Sequence, residues 1–135
     1  NFFNDLKNYQ LYDQLEYNNY LNHSTAISHM VKCDILLVVQ GKTKSVLGRL
    51  PAKVFEYLGA KKPILAIGQK NSDLEKLLKP ISYAWFVDFD NKKLLYEVIL
   101  NIYNSRISDS IFQDDISCFS RESQARELIN IIEKI

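Results

Sequence analysis

No unbroken apolar run in the chain exceeds five residues, and Ile35-Leu-Leu-Val-Val39 is the purely aliphatic one of that length. Its β-branched residues and its lack of polar alternation predict a strand over Asp34–Val39 buried on both faces. Two further short apolar runs, Ile64–Ile67 and Tyr83–Val87, read the same way, and Leu15-Glu16-Tyr17 is a shorter strand candidate. Between these runs the apolar residues recur at helical spacing. Strand and helix therefore alternate, and short connections between such elements imply βαβ units. The expected fold class is α/β: a Rossmann-like parallel sheet with helices on both faces. Its length of 135 residues makes the chain one domain or part of one. Hydrophobic residues at 47% and charged residues at 24% exclude a disordered or low-complexity chain. No run approaches the roughly 20 apolar residues of a membrane span, and no secretory signal segment opens the chain.

The helices carry recognisable stops and starts. Phe3, Leu6 and Lys7 through Tyr9 read as the end of a helix. Ser24 is placed as the cap of a helix through Val31, with Ile27, Met30 and Val31 on one face. Residues 40–50 are polar, contain Gly41 and Gly48, and read as a loop. Pro51 suits the first position of the next helix, with Val54, Phe55 and Leu58 as its core stripe. Gly59 and Lys61-Lys62-Pro63 are expected to stop it. Gly68 closes the following strand, and Ser72-Asp-Leu-Glu75 is a capping box for a helix through Leu78. Asp90 or Asn91 caps a helix from Lys92 to about Tyr103. Residues 104–119 read as irregular. A last amphipathic helix runs near Arg121–Lys134, with Ala125, Leu128, Ile129 and Ile132 at helical spacing.

Charge is distributed more tellingly than its sum of +1, which argues against bulk nucleic-acid binding. Residues 41–93 hold eleven basic against five acidic side chains, while both flanking segments are net acidic. The sharpest excess is 41–62, where Lys42, Lys44, Arg49, Lys53, Lys61 and Lys62 face only Glu56. A solvated loop is one reading of it; an anion site is the other. Ligands of parallel sheets bind outside the carboxyl ends of the strands, and the loop after Val39 leaves such an end. A helix start carries partial positive charge and unpaired N–H groups. Here Arg49 precedes it, Lys53 stands in its first turn, and the first acid is Glu56. A phosphate or pyrophosphate would satisfy that arrangement. The Glu56 carboxylate, somewhat over one turn in, could accept both hydroxyls of a vicinal diol such as ribose. Together these features describe a nucleotide site.

Over nearly its whole length, and most informatively from Gly48 to Ile67, the chain resembles the carboxyl-terminal, nucleotide-sugar-binding half of a GT-B-fold glycosyltransferase, similar to glycosyltransferase family 4. Leu21-Asn-His-Ser-Thr-Ala-Ile-Ser28 looks like the turn and helix after that family's third strand, and Cys33-Asp-Ile-Leu-Leu-Val-Val39 like its fourth strand. Pro51-Ala-Lys-Val-Phe-Glu-Tyr-Leu58 and Lys62-Pro-Ile-Leu-Ala66 look like its donor-site helix and the strand behind it. The resemblance implies that Glu56 holds the donor's ribose hydroxyls. It implies that backbone N–H groups of Ala52 and Lys53 meet the pyrophosphate, within a donor-binding stretch that includes Gly48, Arg49 and Pro51. Leu21, Asn22 and His23 would border the nucleobase, although His23 reads equally well as a surface histidine. Gly48 stands where the family has the first glutamate of its pair, so that role is unfilled or moved.

The implied activity is transfer of a sugar, hexosyltransferase-type and with retention, from a nucleoside diphosphate to a glycan or lipid-linked acceptor, as in the building of a surface polysaccharide. The alternative is a non-catalytic α/β binding or assembly module related to such enzymes. The chain opens at Asn1-Phe2-Phe3 without Met, and we expect it to be a piece of a longer protein that lacks here the acceptor domain and the first strands. As a fragment it is expected to bind donor weakly and to be inactive alone. Its exposed sheet edges would pair with a second copy, rearrange, or take up further protein. The intact enzyme is expected in the cytoplasm, at the inner face of the membrane, with no cofactor and no metal. Asp88-Phe-Asp90 matches a metal-binding DxD pattern, but its place between strand and helix suits capping. His23 and His29 are not at a helical ligand spacing. Tyr9, Tyr12, Tyr17 and Tyr20 lack the basic stripe of a base-stacking surface. Cys33 and Cys118 match no disulfide or zinc framework. Gly41 and Gly68 form no phosphate-loop spacing, and no Ser/His/Asp grouping suggests a hydrolase.

Overall fold

In the computed structural model, residues 2–43, 46–104 and 114–134 are described. Helix α1 (Phe2–Asn8) is followed by a turn with left-handed Gln10 and by a 3-10 turn at Tyr12–Gln14. Then come α2 (His23–Lys32), β1 (Leu36–Val39), α3 (Lys53–Ala60), β2 (Ile64–Gly68), α4 (Asp73–Leu78), β3 (Ala84–Asp88) and α5 (Lys92–Asn104). A second 3-10 turn, Ser117–Phe119, leads into α6 (Arg121–Ile132). The strands form a parallel sheet in the order β1-β2-β3, with Leu36 opposite Ile64 and Ile64 opposite Ala84. This is the expected α/β, Rossmann-like arrangement on a small scale. Leu15–Tyr17 is not a strand: the backbone there is irregular after the 3-10 turn, and Tyr17 packs edge-on against Phe3 of α1 at 5.5 Å between ring centroids.

Alternation along each strand builds two cores. Leu36, Val38, Ile64 and Ala66 face Val54, Tyr57 and Leu58 of α3 and Leu74 and Leu78 of α4. Leu65 and Val87 face Val98 of α5, with Ile35, Trp85, Leu95 and Ile102 around them. The core stripe of α3 therefore uses Tyr57, whose hydroxyl donates to the Leu37 carbonyl at 3.3 Å. Phe55 is only half-buried and leans on Phe119 instead. Burial at β1 departs from the expectation of a strand covered on both faces. Leu37 is 51% and Val39 54% exposed, because the second-face cover comes from α5, whose core partners lie on β2 and β3. Among the described residues no strand pairs with the outer edge of β1, where the Tyr57 hydroxyl takes the Leu37 carbonyl.

Several boundaries move for local reasons. Asn22, not Ser24, caps α2: its Oδ1 accepts from Thr25 N at 2.9 Å and from Ser24 Oγ at 2.8 Å. Gly59 lies within α3, and the left-handed residue that ends the helix is Lys61 (φ 50°). Gly68 belongs to β2, where a Cβ would stand 3.1 Å from the Phe86 ring, so close approach of that ring calls for glycine. Ser72 caps α4 by accepting from Glu75 N at 3.3 Å, while the Glu75 carboxylate reaches back to Asn71 N at 2.6 Å, one residue short of a regular capping box. Asn91 takes the cap of α5, accepting from Leu94 N at 3.1 Å. Helix α6 forms as expected, but Leu128, Ile129 and Ile132 stay more than half exposed, so helical spacing does not place them in a core. Of the span read as irregular, residues 105–113 lie outside the described residues. Among the described residues no helix is long and apolar enough to cross a membrane.

Candidate functional site

The site is assembled where β1 ends. Gln40 continues the strand's pairing through its N–H to the Ile67 carbonyl at 2.9 Å. The residue is 5% exposed. Nε2 donates to the carbonyl of Arg49 at 2.6 Å and, more weakly, to that of Val46 at 3.4 Å. One buried amide thus holds both ends of the turn 46–49, which is closed by Arg49 N to Val46 O at 3.0 Å. From the other side, the Leu47 carbonyl accepts from Asp73 N at the start of α4, at 2.8 Å. Sequence reasoning missed Gln40. A lone amide directly following five apolar residues was the available signal, since a polar group at a buried strand end needs a partner.

The turn delivers Pro51 and Ala52 to the start of α3. Pro51 lies two residues before the helix rather than at its first position. The entry is tight: Val54 N reaches Pro51 O at 3.0 Å and Phe55 N reaches Ala52 O at 3.2 Å. Ala52 occupies the cap position and offers no side-chain acceptor. With Val54 N and Phe55 N so engaged, the N–H groups of Ala52 and Lys53 are the ones left to water or to a ligand. Arg49, Ala52 and Lys53 are all exposed around them.

The six-cation excess does not survive as one cluster. Lys61 and Lys62 lie beyond the far end of α3, about 12 Å from its start at 1.5 Å per residue over eight residues. Lys42 pairs with Asp90, Nζ to Oδ2 at 2.7 Å, and that contact raises its ammonium pKa. Lys44 falls outside the described residues. Among the described residues, Arg49 and Lys53 remain as the cations beside the helix start.

Glu56 and His23 are 33 residues apart, yet Nε2 of His23 lies 3.2 Å from Oε1 of Glu56. Contact between α2 and α3 brings them together. His23 is the first residue of α2, and Glu56 sits at the end of the first turn of α3. Their side chains are 77% and 37% exposed, so the pair stands at the surface and open to a ligand. Asn22, beside His23, spends its side-chain acceptor on the cap of α2. At Gly48 a Cβ would meet only Asp73 Oδ2 at 3.8 Å, an ordinary contact. The position has room for a side chain, and the nearest acid belongs to α4. That Asp73 carboxylate is itself engaged by Lys76, Oδ1 to Nζ at 2.8 Å.

Asp88 and Asp90 do not stand as a free pair. The Asp88 carboxylate accepts from Asp90 N at 3.0 Å and from Lys70 N at 2.9 Å, which holds its pKa below the usual carboxylate range. Asp90 is taken by Lys42. Among the described residues no group of three or more His, Cys, Asp or Glu side chains could hold a metal ion. Cys33 and Cys118 are free, exposed thiols. Open depressions of about 250 Å³ beside Ser24, Ser28 and Lys32, and of about 260 Å³ beside Lys79 and Phe86, are lined by neither Glu56 nor the residues 48–53.

The fold and this site define a small α/β protein with an uncapped, cation-flanked helix start at the carboxyl end of a parallel sheet. No protein-family model, no curated protein and no solved structure matches the chain.

Proposed function

We propose that the chain binds the nucleoside diphosphate of a sugar donor, as the donor half of a retaining glycosyltransferase. The observation that carries this is the start of α3, which lacks a side-chain cap, has Arg49 and Lys53 beside it, and has Glu56 one turn further on. Phosphates would sit against the N–H groups of Ala52 and Lys53, with the two cations neutralising their charge. The Glu56 carboxylate would accept the ribose hydroxyls. In the intact enzyme, cations and helix dipole would stabilise the leaving diphosphate. That task falls to them rather than to a metal at Asp88 and Asp90, whose carboxylates already have partners. The acceptor would bind a separate domain, at the cytoplasmic face of a membrane, and the chain by itself would not transfer sugar. The test is an NMR titration with UDP, GDP and ADP. Shifts concentrated at residues 48–53 and at Glu56 support the site; shifts elsewhere, or none, sink it.

A second reading is an assembly module without catalysis. Gly48 favours it, because the nearest acid, Asp73, is occupied by Lys76. So does β1, whose edge no strand covers among the described residues and whose exposed Leu37 and Val39 are suited to pairing with a second copy or another strand.

A further inference from the structure

We infer that His23 is a positioning residue for Glu56, and that selectivity of the α3 site for a vicinal diol depends on it. This inference rests on the nucleotide reading of the same site. Glu56 is the acid in the first turn of α3. A carboxylate on a free glutamate side chain rotates through several rotamers and offers no fixed plane to a ligand. Here Nε2 of His23 lies 3.2 Å from Oε1. An ionised carboxylate can only accept, so in this contact Nε2 carries the proton. Each carboxylate oxygen can accept two hydrogen bonds. The imidazole uses one position on Oε1 and leaves the rest of Oε1 and all of Oε2 open, enough for two neighbouring hydroxyls.

The imidazole is itself well placed to act as a fixed post. His23 opens α2, and the preceding residue is locked by its cap bonds to Thr25 N and Ser24 Oγ. Backbone position at residue 23 is therefore set independently of Glu56. With a side chain 77% exposed, His23 contributes little to the core, so its removal leaves the fold intact. An exposed pair of this kind adds little stability. What it supplies is orientation: a carboxylate already turned toward the ligand avoids the entropy of ordering it on binding.

The experiment is calorimetric titration of the whole chain with UDP, GDP and ADP, with their 2′,3′-dideoxy counterparts, and with inorganic pyrophosphate. The wild type should prefer at least one ribonucleotide over its dideoxy form by about tenfold or more, the effect of one to two hydrogen bonds to a charged group. His23→Ala should cut that preference to about threefold or less while leaving pyrophosphate affinity unchanged. His23→Gln, whose amide N–H reaches a similar position, should restore most of it. Thermal unfolding of each variant separates these effects from loss of fold. A full diol preference in His23→Ala overturns the inference and leaves the nucleotide site standing. Equal loss of ribonucleotide and pyrophosphate binding also overturns it, since that would be a general effect on the helix start. No binding of any ribonucleotide by the wild type removes the site and the inference together.

Discussion

The side-chain amide of Gln40 donates to the backbone carbonyl of Arg49 at 2.6 Å, tying the end of β1 to the residue that flanks the start of α3. Its Oε1 is buried and finds no partner among the described residues. The amide is therefore kept at a cost, and its benefit lies in the turn it holds. Gln40→Leu should change stability by less than about 1 kcal/mol, since loss of the bond is offset by removal of the orphan acceptor. Hydrogen exchange at the Arg49 amide should nevertheless accelerate several-fold. An unchanged exchange rate would mean that the turn holds without Gln40.

Glu56→Ala should weaken binding of a nucleoside diphosphate about ten- to a hundredfold, the value of hydrogen bonds to a charged group at about 1.5–3 kcal/mol. Stability should move by no more than about 1 kcal/mol, because the partner lost among the described residues is an exposed histidine. Calorimetric titration beside thermal unfolding reads both. Unchanged affinity in a folded variant removes Glu56 from the site.

Asp88 gives the fold an acid-sensitive joint. Two backbone N–H groups, from Asp90 and Lys70, favour its charged form and depress its pKa in the folded state. A depressed carboxylate contributes stability that is complete above its unfolded pKa and is lost as pH falls through the folded one. The loss should thus begin below about pH 4. Asp88→Asn should flatten that part of the profile while leaving the shape between pH 5 and 8 unaltered. Denaturant unfolding measured from pH 2 to 8 tests this, and an identical acid limb in the variant would refute it.

Lys61 ends α3 with φ at 50°, a left-handed conformation that costs a residue with a Cβ roughly 1–2 kcal/mol. The side chain is exposed. Lys61→Gly should stabilise the protein by about 0.5–1 kcal/mol after the extra freedom of glycine in the unfolded chain is subtracted. A rise of a few degrees in Tm is the expected reading; no change or a fall would show that the lysine side chain contributes what the backbone loses.

The outer edge of β1 is proposed to pair with another strand. If it does so with a second copy, wild-type protein should sediment as a dimer, and Leu37→Lys should return it to monomer. A charge on this edge face is a common block to strand addition. A wild-type monomer at high micromolar concentration rules out that self-pairing.

Much of the fold was legible in the residues. Pro63 and Ile64–Ile67, the Ser72–Glu75 cap and the run at Asn91–Lys92 marked β2, α4 and the start of α5, because caps and short apolar runs act through neighbours in the chain. Misreadings came where a distant element decides. Leu15–Tyr17 looks like a strand, but Tyr17 is drawn to Phe3 instead. Leu37 and Val39 belong to a run that reads as doubly buried, yet their cover depends on how far α5 reaches across the sheet. Asn22 and Ser24 are both good caps by type, and only backbone geometry chose between them.

By itself the sequence determined the alternation of strand and helix from β1 to α5, the parallel α/β class and a helix start flanked by Arg49 and Lys53, all of which depend on contacts a few residues long. Tertiary structure decided which of the charges meet. It sent Lys42 to Asp90, 48 residues away, and left Lys61 and Lys62 at the wrong end of α3. It set His23 against Glu56 and Gln40 against Arg49. Those pairings follow from how α2 rests on α3 and how the turn folds over the strand end. Their physical reason is that a hydrogen bond forms only within about 3 Å, a separation that packing sets and spacing along the chain does not.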